Sequence, residues 1–244
     1  MDNTMLVGLT RQLTLRRAMD VAANNIANAD TTGFKVERLM LEADPTNKTQ
    51  HLDGPRTVAF VDEWAMGRDY SQGSLEFTER SLDLALQGEG FFMIEGAGGE
   101  RFTRDGSFTL NEMGELVTSS GDRVLDDIGQ PIFLNPEGGR VEIAQNGQIF
   151  QDGLPMQRVG VARFEQLGVL QKVGENQYTA PADAERLLDG MPLVAQGYLE
   201  RSNVRPIVEI TRMMEVSRAY SSVTRMIRDT DELARKAIER LGRA

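Results

Sequence analysis

The sequence predicts an α+β protein: long N- and C-terminal helices packed as a coiled-coil-like inner domain, with an all-β central domain of short antiparallel strands. Three observations predict it. From about Thr4 to Asn28 there is no proline and the apolar side chains follow a helical spacing, beyond Pro206 they recur in heptads, and glycine-centred turn signals crowd the middle.

In the first helix Leu15, Met19, Ala22 and Ile26 fall at steps of four, three and four, so they share one face. Leu6, Leu9 and Leu13 draw a second apolar line, and a helix with two such faces needs more than one neighbour. The helix ends in "NNIANADTTGF", Asn24 to Phe34. Helix breaking accounts for Asn28, which stands before Asp30, two threonines and Gly33. It does not account for Asn24 and Asn25, which lie about a turn earlier among apolar positions. Asn24 and Asn28 share a face, and a primary amide has two donors and two acceptors for neighbouring helices. We therefore expect these asparagines to control register, since a misplaced amide is buried unpaired at a cost of about 1–3 kcal/mol. Gly33 and Phe34 are expected to set the angle at which the chain leaves the helix.

Residues 36–80 show neither the helical nor the strand period and contain Pro45, Pro55 and Trp64; they read as an extended linker region. Residues 81–200 read as β-rich. Asp105-Gly106, Gly114, Gly121-Asp122, Gly129, Gly138-Gly139, Asn146-Gly147 and Asp152-Gly153 mark closely spaced turns. Hairpins are expected over Arg101 to Leu110, centred on Asp105-Gly106, and over Val141 to Gly153, centred on Asn146-Gly147.

The last helix should run from about Pro206, a first-turn residue, to Leu241, with Gly242 as its C′ residue. Val216, Tyr220, Val223, Ile227, Thr230, Ala234, Ala237 and Leu241 alternate steps of four and three, which is a coiled-coil seam. Such a helix is on the order of 50 Å long and needs another long helix to cover it. The N-terminal helix supplies one partner, and further copies would come from other subunits. Residues 1–35 and 201–244 would then form one helical domain.

The rest of the composition narrows function by exclusion. A net charge of −10 argues against a nucleic-acid groove and against a polybasic membrane anchor. No stretch approaches the ~18 apolar residues of a membrane span, and the N-terminus lacks the pattern of a cleaved signal peptide. There is no cysteine, and the single histidine, His51, sits in a polar, proline-flanked stretch, so no ordinary nucleophilic triad or zinc site can be assembled. "LQGEGFF" and "EGAGGER" lack the lysine and Ser/Thr of a phosphate loop and suit turns between strands. Asp126-Asp127 and Asp231-Glu232 are adjacent acids, which point to different sides and read as solvated surface. No catalytic, cofactor-binding or metal-ligating residue is expected, nor a small-molecule substrate. A rival of another class, a secreted β-rich carbohydrate-binding protein with helical dimerisation arms, would need an aromatic-lined face, which 6% aromatics with one tryptophan hardly supply.

Four stretches taken together are similar to the bacterial flagellar basal-body rod and hook family. They are "NNIANADTTGFK" (Asn24 to Lys35), "ALQGEGFFMI" (Ala85 to Ile94), "RFTRDGSFTLNEMGELVTSSGDRVL" (Arg101 to Leu125) and "QGYLERSNVRPIVEITRMMEVSRAY" (Gln196 to Tyr220). The opening residues and the "SNVRP" step resemble the proximal-rod branch more than the distal-rod branch. The resemblance implies a structural subunit whose terminal helices stack with those of its neighbours around a central export channel, with the β-rich domain outside. It also implies export through the flagellar type III apparatus without a cleaved signal, a place in the periplasm-spanning rod, and partners that are copies of itself and other rod proteins. The residues expected to carry assembly are Leu6, Leu9, Leu13, Asn24, Asn25, Asn28, Gly33 and Phe34 in and after the first helix, and Val216, Tyr220, Val223, Ile227 and Leu241 in the last.

Overall fold

The structure is a computed structural model that describes residues 3–49, 58–187 and 192–241. His51 and Gly242, named above, lie outside the described residues. Two compact units emerge. One joins Met1–Ala27, Glu37–Asp69 and Arg205–Ala244; the other joins Asn28–Val36 and Tyr70–Val204.

The first unit holds helix α1 (Asn3–Ala27), helix α2 (Pro206–Leu241) and a hairpin of strands β1 (Glu37–Thr49) and β2 (Val58–Arg68). Pro206 opens α2, where its missing N–H costs no helical hydrogen bond, and Glu209 places a negative charge in the first turn, at the positive end of the helix dipole. The two helices run antiparallel. A Cβ on Gly8 would lie 3.0 Å from Ile227 Cγ1, Gln12 donates to the Thr224 hydroxyl at 3.1 Å, and Asn25 meets Glu209, so residue numbers climb in α2 as they fall in α1. Leu15 and Ala22 are buried on the face predicted for them. The hairpin occupies the region read from sequence as an extended linker. It pairs Glu37 with Arg68 and Met40 with Ala65, with a bulge after Met40.

The second unit is a β fold built around the strand Phe91–Gly96. This strand pairs antiparallel with Gly99–Thr103, Arg123–Val124 and Val161–Phe164. Because strand side chains alternate, "FFMI" feeds two cores. Phe92 and Ile94 pack with Leu84, Phe108, Leu116 and Ile149 on one side, and Phe91 and Met93 pack with Phe102, Phe164 and Tyr178 on the other. Smaller sheets flank it: Val141–Ile143 with Gln148–Gln151 and Leu154–Arg158, Leu84–Gln87 with Leu193–Gln196, and Leu75–Phe77 with Tyr198–Glu200.

Among the described residues, two α-helices and a β-rich middle between them make the fold α+β, as the sequence predicts. The Asn146-Gly147 hairpin is present, with Gly147 at a φ of 82°. The Asp105-Gly106 hairpin is not. Gly99–Thr103 pairs with the Phe91–Gly96 and Gln177–Thr179 strands, whereas Thr109–Leu110 pairs with Leu116–Val117. Gly106 serves close approach instead of a turn: a Cβ there would come within 1.8 Å of the Leu84 carbonyl oxygen, and Leu84 N–H donates to the Gly106 carbonyl. Asp126 is also not solvated surface. It is buried, and its Oδ1 accepts the N–H groups of Ile128 and Gln130, holding a tight turn closed.

Candidate assembly interface

The end of α1 is built by hydrogen bonds to distant parts of the chain. Asn25 is fully buried. Its Oδ1 accepts the Glu37 N–H at 3.0 Å, and its Nδ2 donates to the Glu37 carbonyl at 2.8 Å and to Glu209 Oε2 at 3.2 Å. One side-chain amide thus pairs both backbone groups at the start of β1 and reaches the first turn of α2. Arg68 Nε lies 3.2 Å from Glu37 Oε1 across the hairpin. Asn25, one of the amides expected to bond neighbouring helices, makes these bonds within the chain, to β1 and to α2. Asn24 is exposed on α1, and Asn28 is half-buried, its Oδ1 accepting the Thr31 hydroxyl at 3.2 Å.

In the β unit, the segment Asn28–Val36 is anchored residue by residue. Gly33 has a φ of 67° and donates its N–H to the Glu200 carbonyl at 2.7 Å. A Cβ at this position would lie 2.5 Å from the Arg104 carbonyl carbon, so glycine is required twice over. Phe34 is buried with Val36 and Val204, and the Lys172 ammonium sits 4.7 Å above its ring. Lys35 is buried with its ammonium 2.6 Å from Glu200 Oε1 and 2.7 Å from the Ser71 carbonyl. Glu200 Oε1 also accepts the Gly73 N–H, and the Arg104 guanidinium lies 3.4 Å from Glu200 Oε2. Asn203 Oδ1 accepts the Val36 N–H at 2.8 Å, so "GFKV" and "SNV" close on each other.

Burial pushes the Arg104 guanidinium pKa down from its ordinary value, against the charges of Glu200 and Glu89. The neighbouring Asp105 carboxyl is pushed up by burial; hydrogen bonds from Ser107 oppose this and the Asp83 charge adds to it.

The helices present a different surface. Leu9 and Leu13 are 46% and 63% exposed on α1. Val216, Tyr220, Val223 and Ile227 are half-buried along α2, while Ile207, Ile210, Met214, Met226 and Leu233 on α2 are exposed. The side chains of Leu6 and Leu241 are not among those described. A groove of about 460 Å³ opens between α1 and α2, lined by Met19, Ala23, Met213 and Met214, with Asp20 and Arg218 at its polar positions. Glu37, Glu209, Lys35, Glu200 and Asn203 were missed by sequence reasoning. A lysine inside the apolar run "GFKV" was the one available sign that a buried countercharge had to exist.

The chain thus combines an antiparallel helix pair with uncovered apolar side chains and, next in sequence, a β unit carrying these interlocked blocks, and its sequence places this architecture among the flagellar basal-body proteins. Sequence profiles agree: flagella basal body rod protein over residues 5–35, the flagellar hook protein FlgE/F/G D1 domain over 85–151, and the flagellar basal body rod FlgEFG protein C-terminal region over 195–240. The chain belongs to the flagellar basal-body rod protein family, and within it is FlgF-like. It is 45% identical to the flagellar basal-body rod protein FlgF of Caulobacter vibrioides, over 100% of this chain and 99% of that one. It is 34% identical to FlgF of Rhizobium meliloti over 99% of both chains. To FlgG of Buchnera aphidicola subsp. Schizaphis graminum it is 32% identical, over 89% of this chain and 92% of the relative.

Proposed function

We propose that the chain is a structural subunit of the proximal flagellar rod that assembles through its terminal helices into a helical axial tube and transmits torque. Its role is structural, not catalytic. The observation that carries the reading is the apolar surface that the two helices leave uncovered, on a chain alike over its full length to FlgF rod proteins. The higher identity to FlgF than to FlgG favours the proximal over the distal part of the rod.

In this reading α1 and α2 pair as a coiled coil, and helices of neighbouring subunits complete the half-buried seam at Val216, Tyr220, Val223 and Ile227. Leu9 and Leu13 face a second neighbour. Head-to-tail contacts that do not close produce a filament, and long seams resist shear along its axis. Residues 1–35 and 201–244 make the inner layer, 81–200 the outer domain, and 36–80 the connection between them. Partners are copies of this chain and other rod proteins, reached after export through the flagellar type III apparatus, without a cleaved signal, into the periplasm-spanning rod.

The test is deletion of the reading frame, followed by electron microscopy of basal bodies. Complementation would use the full chain and a truncation ending at Gln196. Rods missing or cut short near the inner membrane, restored only by the full chain, are expected. Intact rods with normal swimming in the deletion strain would overturn the assignment.

A further inference from the structure

We propose that Glu209, Asn25, Glu37 and Arg68 form a register pin that fixes how far α1 and α2 are slid along each other. The proposal rests on the helix-assembly reading, because a seam offers neighbours a usable surface in one register only. Apolar heptads do not choose that register well. A seam alternating steps of four and three presents a similar apolar line after a slide of one step, about a turn, so burial alone leaves competing alignments close in energy.

The node supplies what the seam lacks. Glu209 is a buried carboxylate on α2, and its Oε2 accepts from Asn25 Nδ2 on α1. The Asn25 amide is itself fixed, since both backbone groups of Glu37 bond to it and Glu37 is tied to Arg68 across the hairpin. The donor therefore cannot follow a moving helix. A slide of one turn, about 5.4 Å, carries Glu209 out of reach and leaves a buried carboxylate without this partner. The contacts farther along, Gln12 with Thr224 and Gly8 with Ile227, keep the offset set at the node.

The chain has no cysteine, so introduced thiols report register without background. A Cβ at residue 8 lies 3.0 Å from Ile227 Cγ1, the place a thiol at 227 would take, which suits a disulfide in Gly8→Cys/Ile227→Cys. Gly8→Cys with Val223→Cys or with Thr230→Cys reports a slide of about one turn in either direction. The purified full chain is oxidised mildly and each intrachain disulfide is scored by gel mobility. In the parent the 8–227 bridge should dominate. Glu209→Leu keeps bulk but removes the acceptor, and should shift the ratio toward a slid bridge on the order of tenfold. Glu209→Gln still accepts from Asn25 and should keep the parent ratio.

An unchanged ratio in Glu209→Leu overturns the proposal, and so does a loss in Glu209→Gln as large as that in Glu209→Leu. If every bridge falls together with the helical circular dichroism, the node holds the helices without selecting a register, and the proposal fails as well. None of these outcomes needs rods. Rods that form without the chain would overturn the assembly reading and leave the disulfide ratios standing.

Discussion

At Gly33 a hydrogen atom in place of a methyl group lets the chain pass against the Arg104 backbone. Gly33→Ala would press a methyl group against the Arg104 backbone at a left-handed φ, with no flexible side chain to yield. We expect a loss of roughly 2–4 kcal/mol in urea unfolding of the full chain; a loss under about 0.5 kcal/mol would mean that the backbone there is free to move. Lys35 and Glu200 belong to the same knot. Lys35→Met leaves the buried Glu200 carboxylate with the Gly73 N–H and the Arg104 guanidinium but without its nearest counter-charge, and should cost about 3–5 kcal/mol. Adding Glu200→Gln should recover part of that, because no full buried carboxylate charge then needs a partner; a double variant no more stable than the single would place the damage in packing. Asp105 gives a pH signature. Its carboxyl is raised above the ordinary 3.8, so its contribution to stability is present below that value and lost as pH rises through the folded one. Asparagine keeps the acceptor for Ser107 and cannot ionise. Asp105→Asn should therefore raise the Tm at about pH 8, by a margin that shrinks as pH falls toward 4, and a margin independent of pH would contradict the shift.

At the scale of elements, the two helices were legible because their spacing is written in neighbouring residues, and the Asn146-Gly147 hairpin because its turn chemistry is local. What failed was long-range. Gly106 looks like a turn glycine until the Leu84 carbonyl is placed against it, and nothing near Asn25 in the sequence announces its partners Glu37 and Glu209, 12 and 184 residues away. The β1/β2 hairpin was read as linker because a bulge and prolines blur the two-residue alternation that marks a strand. On the helix surface, charge is the sharpest probe. Val223→Asp or Ile227→Asp puts a carboxylate on the half-buried face of α2, and incorporation into rods should be lost while the β unit unfolds at its parent urea midpoint. Normal incorporation of either variant would show that this seam does not carry assembly.

Across the whole molecule, exposed apolar side chains occur on both units, but the net charge is concentrated in one. The β unit carries 22 Asp and Glu against 11 Lys and Arg, whereas the helical unit carries 15 against 16, so the net charge of −10 belongs almost wholly to the β unit. Exposed Leu13, Ile207 and Leu233 favour association of helices, and like-charged β units oppose the approach of identical chains. The two influences respond differently to salt. The screening length falls from about 30 Å at 0.01 M to about 3 Å at 1 M, while burial of apolar surface is not weakened by added sodium chloride. The full chain should therefore sediment as a monomer at low ionic strength and self-associate progressively as salt is added. Ile227→Asp should need more salt to reach the same degree of association. If added salt instead dissolved complexes that exist at low ionic strength, ion pairs between chains would be the main attraction. The acidic surface would then be a contact in the assembly and not a barrier to premature association.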